Sequence, residues 1–499
     1  MTRYLRGWIL SFPKLVALLI LTGMIAGSPD VDGQDKTGYL LDEVPQAINL
    51  NPAVWYSCRN FVALPGMSDL GFSYRNNGFS YNQAITTRSE MSGDSILLNP
   101  GMLSSVLANM NNVRIGTELA LFGFGFRYAD WYFSVYATNR SSTGITFARD
   151  IVDARDGNWD LATNKPRQIN LNGTGFHFIN FTELAFGGSK KIYDGLYIGG
   201  RLKFLMGAGH LQTLNSKLSL TTTASPIELS GTSSFRLIGS LPVDVTVNND
   251  GLVTNVGSPV NSFTDVPRYL LSGNLGLALD AGIIYAYTDR LTLSASINDL
   301  GFIRWRRNTS VLEQSGHFVF SGLDLNSYVR GGTDTDLLQA LQDSIVSNFR
   351  LSQSNDPYIA LIPARIFAGA EYELNRALSL GTVAELEMLN GRLYPGMTFM
   401  GVARPVEGLT LSLSYSLMDR AFDDIGFAII AGKKYIQFYF ITDHIPVRYV
   451  SDRYSGFKWP YSARTMNFRM GINVFLGCLK DKRPGYRHPG RNKLCPAYR

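Results

Sequence analysis

The chain has 499 residues, of which 45% are hydrophobic, 12% aromatic and 17% charged. Soluble globular proteins carry about 25% charged residues, so this composition excludes an ordinary water-facing surface over much of the fold. The formal charge of +6 lies mainly in the basic C-terminal stretch 479–499, and the nearly neutral body excludes a nucleic-acid partner.

The N-terminus has the pattern of a secretory signal peptide. Basic residues precede and flank an apolar run, Leu15–Ser28, as in exported proteins. We expect residues 1–33 to be removed, with cleavage between Gly27 and Gln34. No cysteine follows the run, which argues against a lipid anchor. The alternative is an uncleaved membrane-anchor helix, for which the run is short.

Polar and apolar residues alternate with a period of two almost from end to end. In Leu409–Leu417 the odd positions are leucine or tyrosine and the even positions are serine or threonine. In Glu118–Tyr128 the phenylalanines share one face, and the other carries Leu119, Gly123 and Arg127. A strand with lipid outside and water inside has this pattern, so the phenylalanine face is expected to face lipid.

Short and long connections tend to alternate along the chain. The short turns are expected at Asp130, Asp194–Gly195, Asp289, Asn375, Gly408 and Gly432. The long polar connections are 149–173, 306–357 and 443–464.

These features predict an all-β fold, a transmembrane antiparallel β-barrel of roughly 14 strands over residues 60–478. A soluble β-sandwich also alternates, but segments such as 178–191 and 274–288 are long for its strands. Helices are expected at Asn99–Met110 and at Asp334–Phe349, the second as a small cap in a long loop.

Several motifs occur in a recognisable order. They are QAINLNPAVWY (46–56), FVALPGMSDLGFSYRNNGFSYN (61–82), NDLGFIRW (298–305), ALIPARIFAGAEYEL (360–374), LTLSLSYSL (409–417) and YIQFYFITDHIP (435–446). In this order the chain, from about 46 to 478, resembles a family of Bacteroidota outer-membrane barrels of unknown function. Those barrels are similar in outline to FadL-type hydrocarbon and fatty-acid transporters and to the PorV and PorP barrels associated with type IX secretion.

The resemblance implies a plug inside the barrel. In the FadL-type group an Asn-Pro-Ala near the mature N-terminus belongs to such a plug, and Asn51, Pro52 and Ala53 match it here. We therefore assign residues 34–59 to an N-terminal plug segment. The alternative is an ordinary turn before the first strand, since Asn-Pro favours turn initiation. No ligand-binding residue of the group can be matched.

Residues that carry metal or catalytic chemistry are not grouped in the sequence. The five histidines are scattered without metal-ligand spacing: His177, His210, His317, His444 and His488. No nucleophile elbow or phosphate-binding glycine loop is present. We expect no metal, no cofactor and no enzymatic activity.

Paired carboxylates two residues apart point to the lumen. Glu371 with Glu373, and Glu385 with Glu387, each share one face of a strand. They indicate either an ion-selective channel wall or plain solvation of a polar interior. In the second case the balancing charges are Arg365, Arg376, Arg392 and Arg404.

A basic group ends the strand that begins at Leu291. Arg304, Arg306 and Arg307 surround Trp305. They indicate either a basic external mouth that gathers acidic ligands or lipopolysaccharide phosphates, or an external rim of snorkelling charges beside an interfacial tryptophan.

The C-terminal stretch 479–499 is basic and proline-containing, and we expect it to be extended in the periplasm. It either docks a periplasmic partner or is a solvated terminus. Cys478 and Cys495 are candidates for a disulfide, which would leave Cys58 unpaired. The alternative is that the three thiols are free or are paired differently.

Two functions remain after these exclusions. The first is a passive channel for hydrophobic or amphipathic small molecules in the outer membrane. The second is a non-conducting platform or accessory subunit of an outer-membrane secretion or assembly complex. The expected partners are outer-membrane lipid, a hydrophobic small molecule, and periplasmic or outer-membrane proteins. A continuous apolar cavity reaching a lateral gap would favour the channel, and a solidly packed lumen the platform.

Overall fold

The computed structural model describes most of the chain between residues 36 and 476. The described ranges are 36–56, 60–80, 83, 85–87, 96–160, 163–223, 229–241, 245–247, 253–256, 273–320, 349–389, 392–418, 421–433, 435–444, 449–451, 458–460 and 465–476. The expected signal peptide, the three cysteines, the basic tail and positions 334–348 of the expected cap helix lie outside these ranges.

Strands make up most of the described chain. In the first half they are β1 (Asn60–Ala63), β2 (Leu70–Asn76), β3 (Ile85–Thr87), β4 (Ile96–Leu98), β5 (Met110–Tyr128), β6 (Trp131–Ala148), β7 (Trp159–Asp160), β8 (Lys165–Pro166), β9 (Ile169–Asn170), β10 (Gly175–Tyr193), β11 (Leu196–Thr222), β12 (Leu229–Ser240), β13 (Val245–Val247) and β14 (Val253–Val256). In the second half they are β15 (Asn274–Ala286), β16 (Leu291–Trp305), β17 (Thr309–Phe320), β18 (Phe349–Ser354), β19 (Tyr358–Leu361), β20 (Ala364–Asn375), β21 (Leu378–Leu389), β22 (Arg392–Val406), β23 (Leu409–Met418), β24 (Ala421–Lys433), β25 (Ile436–Thr442), β26 (Tyr449–Ser451), β27 (Lys458–Pro460) and β28 (Thr465–Leu476).

The sheet closes on itself as an antiparallel barrel of 14 strands, which confirms the predicted fold class. Its order around the barrel is β1 with β2, β5, β6, β10, β11, β15, β16, β19 with β20, β21, β22, β23, β24, β25 and β28. Closure comes from β28, which pairs with β1 and β2. A closed barrel leaves no unpaired sheet edge in lipid.

The six short turns predicted from the sequence lie at one end of the barrel, which in barrels of this class is the periplasmic end. β21 and β22, and β23 and β24, are also joined by short connections, and these lie at the opposite end. Five of the six expected positions lie in or next to the observed turns. The sixth, Gly432, is inside β24, and the turn follows Lys433.

Alternation places the side chains as expected. In β23, Ser412 and Ser414 are buried in the lumen while Leu413 is 60% exposed on the outer face. One detail of the prediction was wrong: Leu119 was assigned to the face opposite the phenylalanines, yet it is exposed like Phe122. The cause is a bulge between Ala120 and Phe122, because one extra residue shifts the alternation of the strand.

The first barrel strand is interrupted between β1 and β2, where residues 64–69 leave the ladder. Backbone groups of this segment still bond to both neighbouring strands: Gly66 N donates to Ala120 O at 2.8 Å, and Ile472 N donates to Met67 O at 2.9 Å. The described wall is therefore bridged here by hydrogen bonds rather than open to lipid.

The same sheet continues beyond the long-connection end of the barrel, in an extension that was not predicted from the sequence. β11 continues for 27 residues, and its outer half pairs with β12, which pairs with β17, which pairs with β18. The alternation of these segments resembles that of the barrel strands, so sequence alone did not separate them.

Helices are short. They are α1 (Pro100–Val106), α2 (Asp150–Asp153) and the 3-10 turns Pro45–Asn49 and Ala154–Asp156. The helix expected at Asn99–Met110 is observed only as α1, which ends at Val106, and Met110 already begins β5. The Asn99 side chain caps α1 by accepting from Met102 N at 3.0 Å. Within the described ranges, no helix has the length and apolarity to cross a membrane.

Candidate functional site

Residues 36–56, here named the luminal segment, lie inside the barrel. Most of their side chains are buried, including Lys36 and Leu41 at 0% exposure. The chain runs from mid-lumen, where Thr37 contacts Ser414 and Asp443, to the short-turn end, where Tyr56 packs against Phe475. The segment therefore fills the periplasmic half of the lumen.

Apolar packing and ion pairs hold the first half of the segment against the wall. Tyr39 stacks on Phe367 with ring centroids 5.0 Å apart. Arg404 Nε donates to Glu43 Oε1 at 2.7 Å, and Lys36 Nζ lies 3.7 Å from Glu385 Oε2. Buried charges of this kind are tolerated only when they are paired.

The Asn-Pro-Ala tripeptide lies in the middle of the lumen. Asn51 Oδ1 accepts from Ala53 N at 3.0 Å, which forms a local turn within the segment. Two wall glycines make room for it. A Cβ added at Gly199 would lie 2.0 Å from Pro52 O, and one at Gly282 would lie 2.1 Å from Asn51 Oδ1.

An aromatic cluster closes the short-turn end. Trp55 packs against Tyr197, and Tyr56 against Tyr132 and Phe475. The Arg127 guanidinium lies 4.0 Å over the Trp55 ring, a cation–π arrangement.

Above the lower half of the segment, ten charged side chains form what we name the ion-pair layer. Its members are Arg140, Arg201, Lys203, Arg365 and Arg469, with Asp69, Glu118, Glu183, Asp280 and Asp299. Five cations thus face five anions. Of these ten residues, only Arg365 was predicted from the sequence to be a luminal charge, as a balance for the lumen carboxylates.

Asp299 is the hub of the ion-pair layer. It contacts Lys203, Arg140 at 3.0 Å and Arg365 at 3.2 Å. A bulge opposite Asp280 puts Asp299 in the left-handed region, φ 62°, and its N–H donates to Asp280 Oδ1 at 2.7 Å. The bulge turns Asp299 into the lumen, as bulges re-aim side chains next to functional sites, while Asp280 points inward through the regular alternation of β15.

A recess with a volume of about 60 Å³ lies on the other side of the ion-pair layer, toward the long connections. Its lining is amphipathic: Ile179, Phe181 and Ile362 are apolar, and Arg114 and Arg140 are charged. The recess stops at the ion-pair layer, so the described residues form no continuous apolar cavity through the lumen.

The predicted lumen carboxylates are separate from the recess, except Glu387. Glu371 accepts from Ser379 Oγ at 2.8 Å and lies 3.9 Å from Arg404. Glu385 pairs with Lys36 of the luminal segment, and Glu387 lies 3.7 Å from Arg114. Glu373 is half-buried near the short turns.

The predicted basic rim lies at the far end of β16, away from the short turns. Arg304, Arg306 and Arg307 are exposed. Trp305 does not lie at a membrane interface: it is 0% exposed and stacks on His210 with centroids 5.1 Å apart. Side chains alternate along this part of β16, so Trp305 points inward while its neighbour Arg304 points outward.

Charged residues at inward positions of otherwise apolar strands were the missed signal. Arg201 and Lys203 alternate with lipid-facing residues, and Asp280 follows the alternating segment of β15. Their pairing was not predictable because it depends on the register of four strands, β10, β11, β15 and β16. Among the described residues, no three His, Cys, Asp or Glu side chains are grouped as around a metal ion.

A closed barrel with lipid-facing leucines and phenylalanines, and a charged lumen filled by its own N-terminal segment, defines an outer-membrane transmembrane β-barrel. More narrowly, the chain belongs to the Family of unknown function (DUF5723), whose profile matches residues 52–443.

Solved structures with a related outline are transport barrels. A FadL homologue from Pseudomonas aeruginosa is 12% identical, with a TM-score of 0.35 and coverage of 86% of this chain and 93% of that one. The toluene transporter TodX from Pseudomonas putida is 9% identical, with a TM-score of 0.34 and coverage of 86% and 92%. The toluene transporter TbuX from Ralstonia pickettii is 9% identical, with a TM-score of 0.38 and coverage of 87% and 93%. No curated protein matches the chain.

Proposed function

We propose that the protein is an outer-membrane channel for hydrophobic or amphipathic small molecules, closed here by the luminal segment and the ion-pair layer. The observation that carries the proposal is the amphipathic recess, which ends at the ion-pair layer above the segment. Neither this function nor the alternative below is catalytic. Export by a cleaved signal peptide remains part of the proposal.

The lining of the recess suits a molecule with an apolar body and a polar end. Ile179 and Phe181 offer apolar contact on β10, and Arg114 lies on β5 across the recess. Small-molecule sites commonly combine apolar walls with a few placed polar groups. Passage beyond the recess requires both the ion-pair layer and the luminal segment to move.

The segment is held by polar contacts that can exchange with water. Leu50 O accepts from Ser296 Oγ and Asn298 Nδ2, both at 2.6 Å, and Ile48 O accepts from Arg201 Nη1 at 3.4 Å. Exchange of individual hydrogen bonds costs little net free energy, about 1 kcal/mol each. We therefore propose that the segment shifts as a gate rather than leaving the barrel.

A matched pair of glycine variants tests the gate. Gly199→Ala places a Cβ 2.0 Å from Pro52 O, whereas a Cβ at Gly200 meets only Asp280 O at 3.5 Å. In planar bilayers the wild type and Gly200→Ala are expected to be mostly closed, and Gly199→Ala to conduct. Gel mobility before and after heating checks that each barrel is folded. A folded Gly199→Ala barrel that stays closed would contradict the proposed gate.

The second candidate is a non-conducting platform or accessory subunit of a secretion or assembly complex. Two observations favour it: the described residues form no continuous apolar cavity through the lumen, and below the recess the luminal segment packs against the wall from β10 through β28. In that case tagged protein, cross-linked in outer membranes and purified, carries a stoichiometric protein partner, and Gly199→Ala does not conduct.

A further inference from the structure

Beneath the ion-pair layer, a group of buried polar side chains has unused hydrogen-bonding atoms. Tyr132, Ser134 and Tyr136 alternate along the inward face of β6, each at most 2% exposed. Their hydroxyls have no hydrogen-bond partner. Buried polar atoms in folded proteins are nearly always satisfied, so three together indicate a missing partner.

Arg201, two strands away, faces the same region. Ser134, Gly187 and Arg201 form one row across β6, β10 and β11. Because Gly187 has no side chain, the two flanking residues approach each other: a Cβ there would lie 2.6 Å from Ser134 Oγ and 2.9 Å from Arg201 Cγ.

The guanidinium of Arg201 presents an unused edge. Nη1 is occupied, since it donates to Ile48 O and lies 3.5 Å from Asp280 Oδ2. Nε and Nη2 are buried without a hydrogen-bond partner. These two N–H groups form the fork that binds two oxygens of one carboxylate or phosphate. Asp280 is shared with Lys203, which lies closer at 2.8 Å, so Arg201 is incompletely compensated.

The geometry points to a buried oxyanion site in the periplasmic half of the lumen, formed by the Nε and Nη2 edge of Arg201 and the hydroxyls of Ser134 and Tyr136. Its ligand is one carboxylate or phosphate group. The site faces the periplasmic side of the ion-pair layer, to which Arg201 belongs, and the recess lies on the opposite side of that layer. The site stands whether or not the barrel conducts.

To test the proposal, the purified mature chain is refolded from urea into detergent, and its thermal unfolding midpoint is measured in increasing phosphate, acetate or chloride. A ligand that binds only the folded protein raises the stability of that protein as the ligand concentration rises. The dependence of the midpoint on concentration therefore gives an apparent affinity for each anion. Phosphate or acetate is expected to stabilise the wild type at millimolar concentration, and chloride is not. The anion with the higher apparent affinity, phosphate or acetate, shows whether the ligand is a phosphate or a carboxylate group.

Three variants remove the site with little change in packing. Arg201→Lys keeps the charge near Asp280 but lacks the fork, and Ser134→Ala and Tyr136→Phe remove single hydroxyls. Each should weaken oxyanion binding at least about tenfold, as for loss of a charge-assisted hydrogen bond. The control is Ser412→Ala, which removes another buried, unpartnered hydroxyl on β23. Equal stabilisation of wild type and variants, or none in the wild type, overturns the proposal and leaves water as the occupant.

Discussion

Asn298 and Asp299 are neighbours in sequence, yet both point into the lumen and hold different parts of it. Asn298 Nδ2 donates to Leu50 O of the luminal segment at 2.6 Å, while Asp299 binds Arg140, Lys203 and Arg365. In a regular strand one of the two would face lipid. The bulge in β16 thus couples the luminal segment to the ion-pair layer.

Replacement of the hub carboxylate should destabilise the barrel. Asp299→Asn removes the carboxylate that Arg140, Lys203 and Arg365 share in a buried site. Breaking a buried ion pair lowers the free energy of unfolding by about 3–5 kcal/mol. Urea-dependent unfolding in detergent measures the loss. Asp289→Asn, in an exposed turn, is the control and should have almost no effect. Equal effects of the two changes would show that Asp299 is no hub.

The contact between Arg404 and Glu43 should contribute to holding the segment. A double-mutant cycle with Arg404→Gln and Glu43→Gln isolates their interaction, and contacting pairs give about 0.5–3 kcal/mol. Their side chains are 13% and 11% exposed, so solvent screening places the value in the lower part of that range. A coupling energy of zero in urea unfolding would show that this contact does not hold the luminal segment.

A charge on the lipid face should be costly at mid-strand and cheap at the rim. Leu413 is 60% exposed in the middle of β23, and Ile436 is 58% exposed beside a turn. Leu413→Arg is expected to cost about 2–4 kcal/mol and Ile436→Arg at most about 1 kcal/mol. Folding titrations into lipid bilayers measure both. The reverse order would place the membrane elsewhere on the barrel.

The barrel was predictable because one physical rule acts on every strand. Leu413 must face lipid and Ser414 must face the lumen, and the alternation of apolar and polar residues along the strand shows this directly. Leu119 was assigned to the wrong face of β5, because the bulge between Ala120 and Phe122 depends on the pairing of β5 with β6. Trp305 was expected at an interface because its neighbours are arginines, yet the alternation of β16 turns it inward.

The interior was less predictable than the wall. The resemblance to plugged barrels indicated Asn51, Pro52 and Ala53, but the partners of the segment come from strands far apart in sequence. Lys36 meets Glu385, and Arg201 meets Ile48. Such contacts follow from closure and register, which a local pattern does not contain. The Asn298–Asp299 pair, which interrupts the alternation of β16, was the visible sign of the bulge.

The gate itself can be locked. Thr37 Oγ1 and Ser414 Oγ lie 2.7 Å apart, so Thr37→Cys with Ser414→Cys places two thiols within reach of a disulfide. The background carries serine in place of Cys58, Cys478 and Cys495. The single variants are the controls.

Uptake of dansyl-undecanoate, an amphipathic probe, into proteoliposomes containing this double variant tests the central claim most directly. If the luminal segment is the gate, uptake proceeds in the reduced form, stops on oxidation and returns with reductant, while the single variants are unaffected. Equal uptake by the oxidised and reduced barrels, or no uptake by either, would contradict the account.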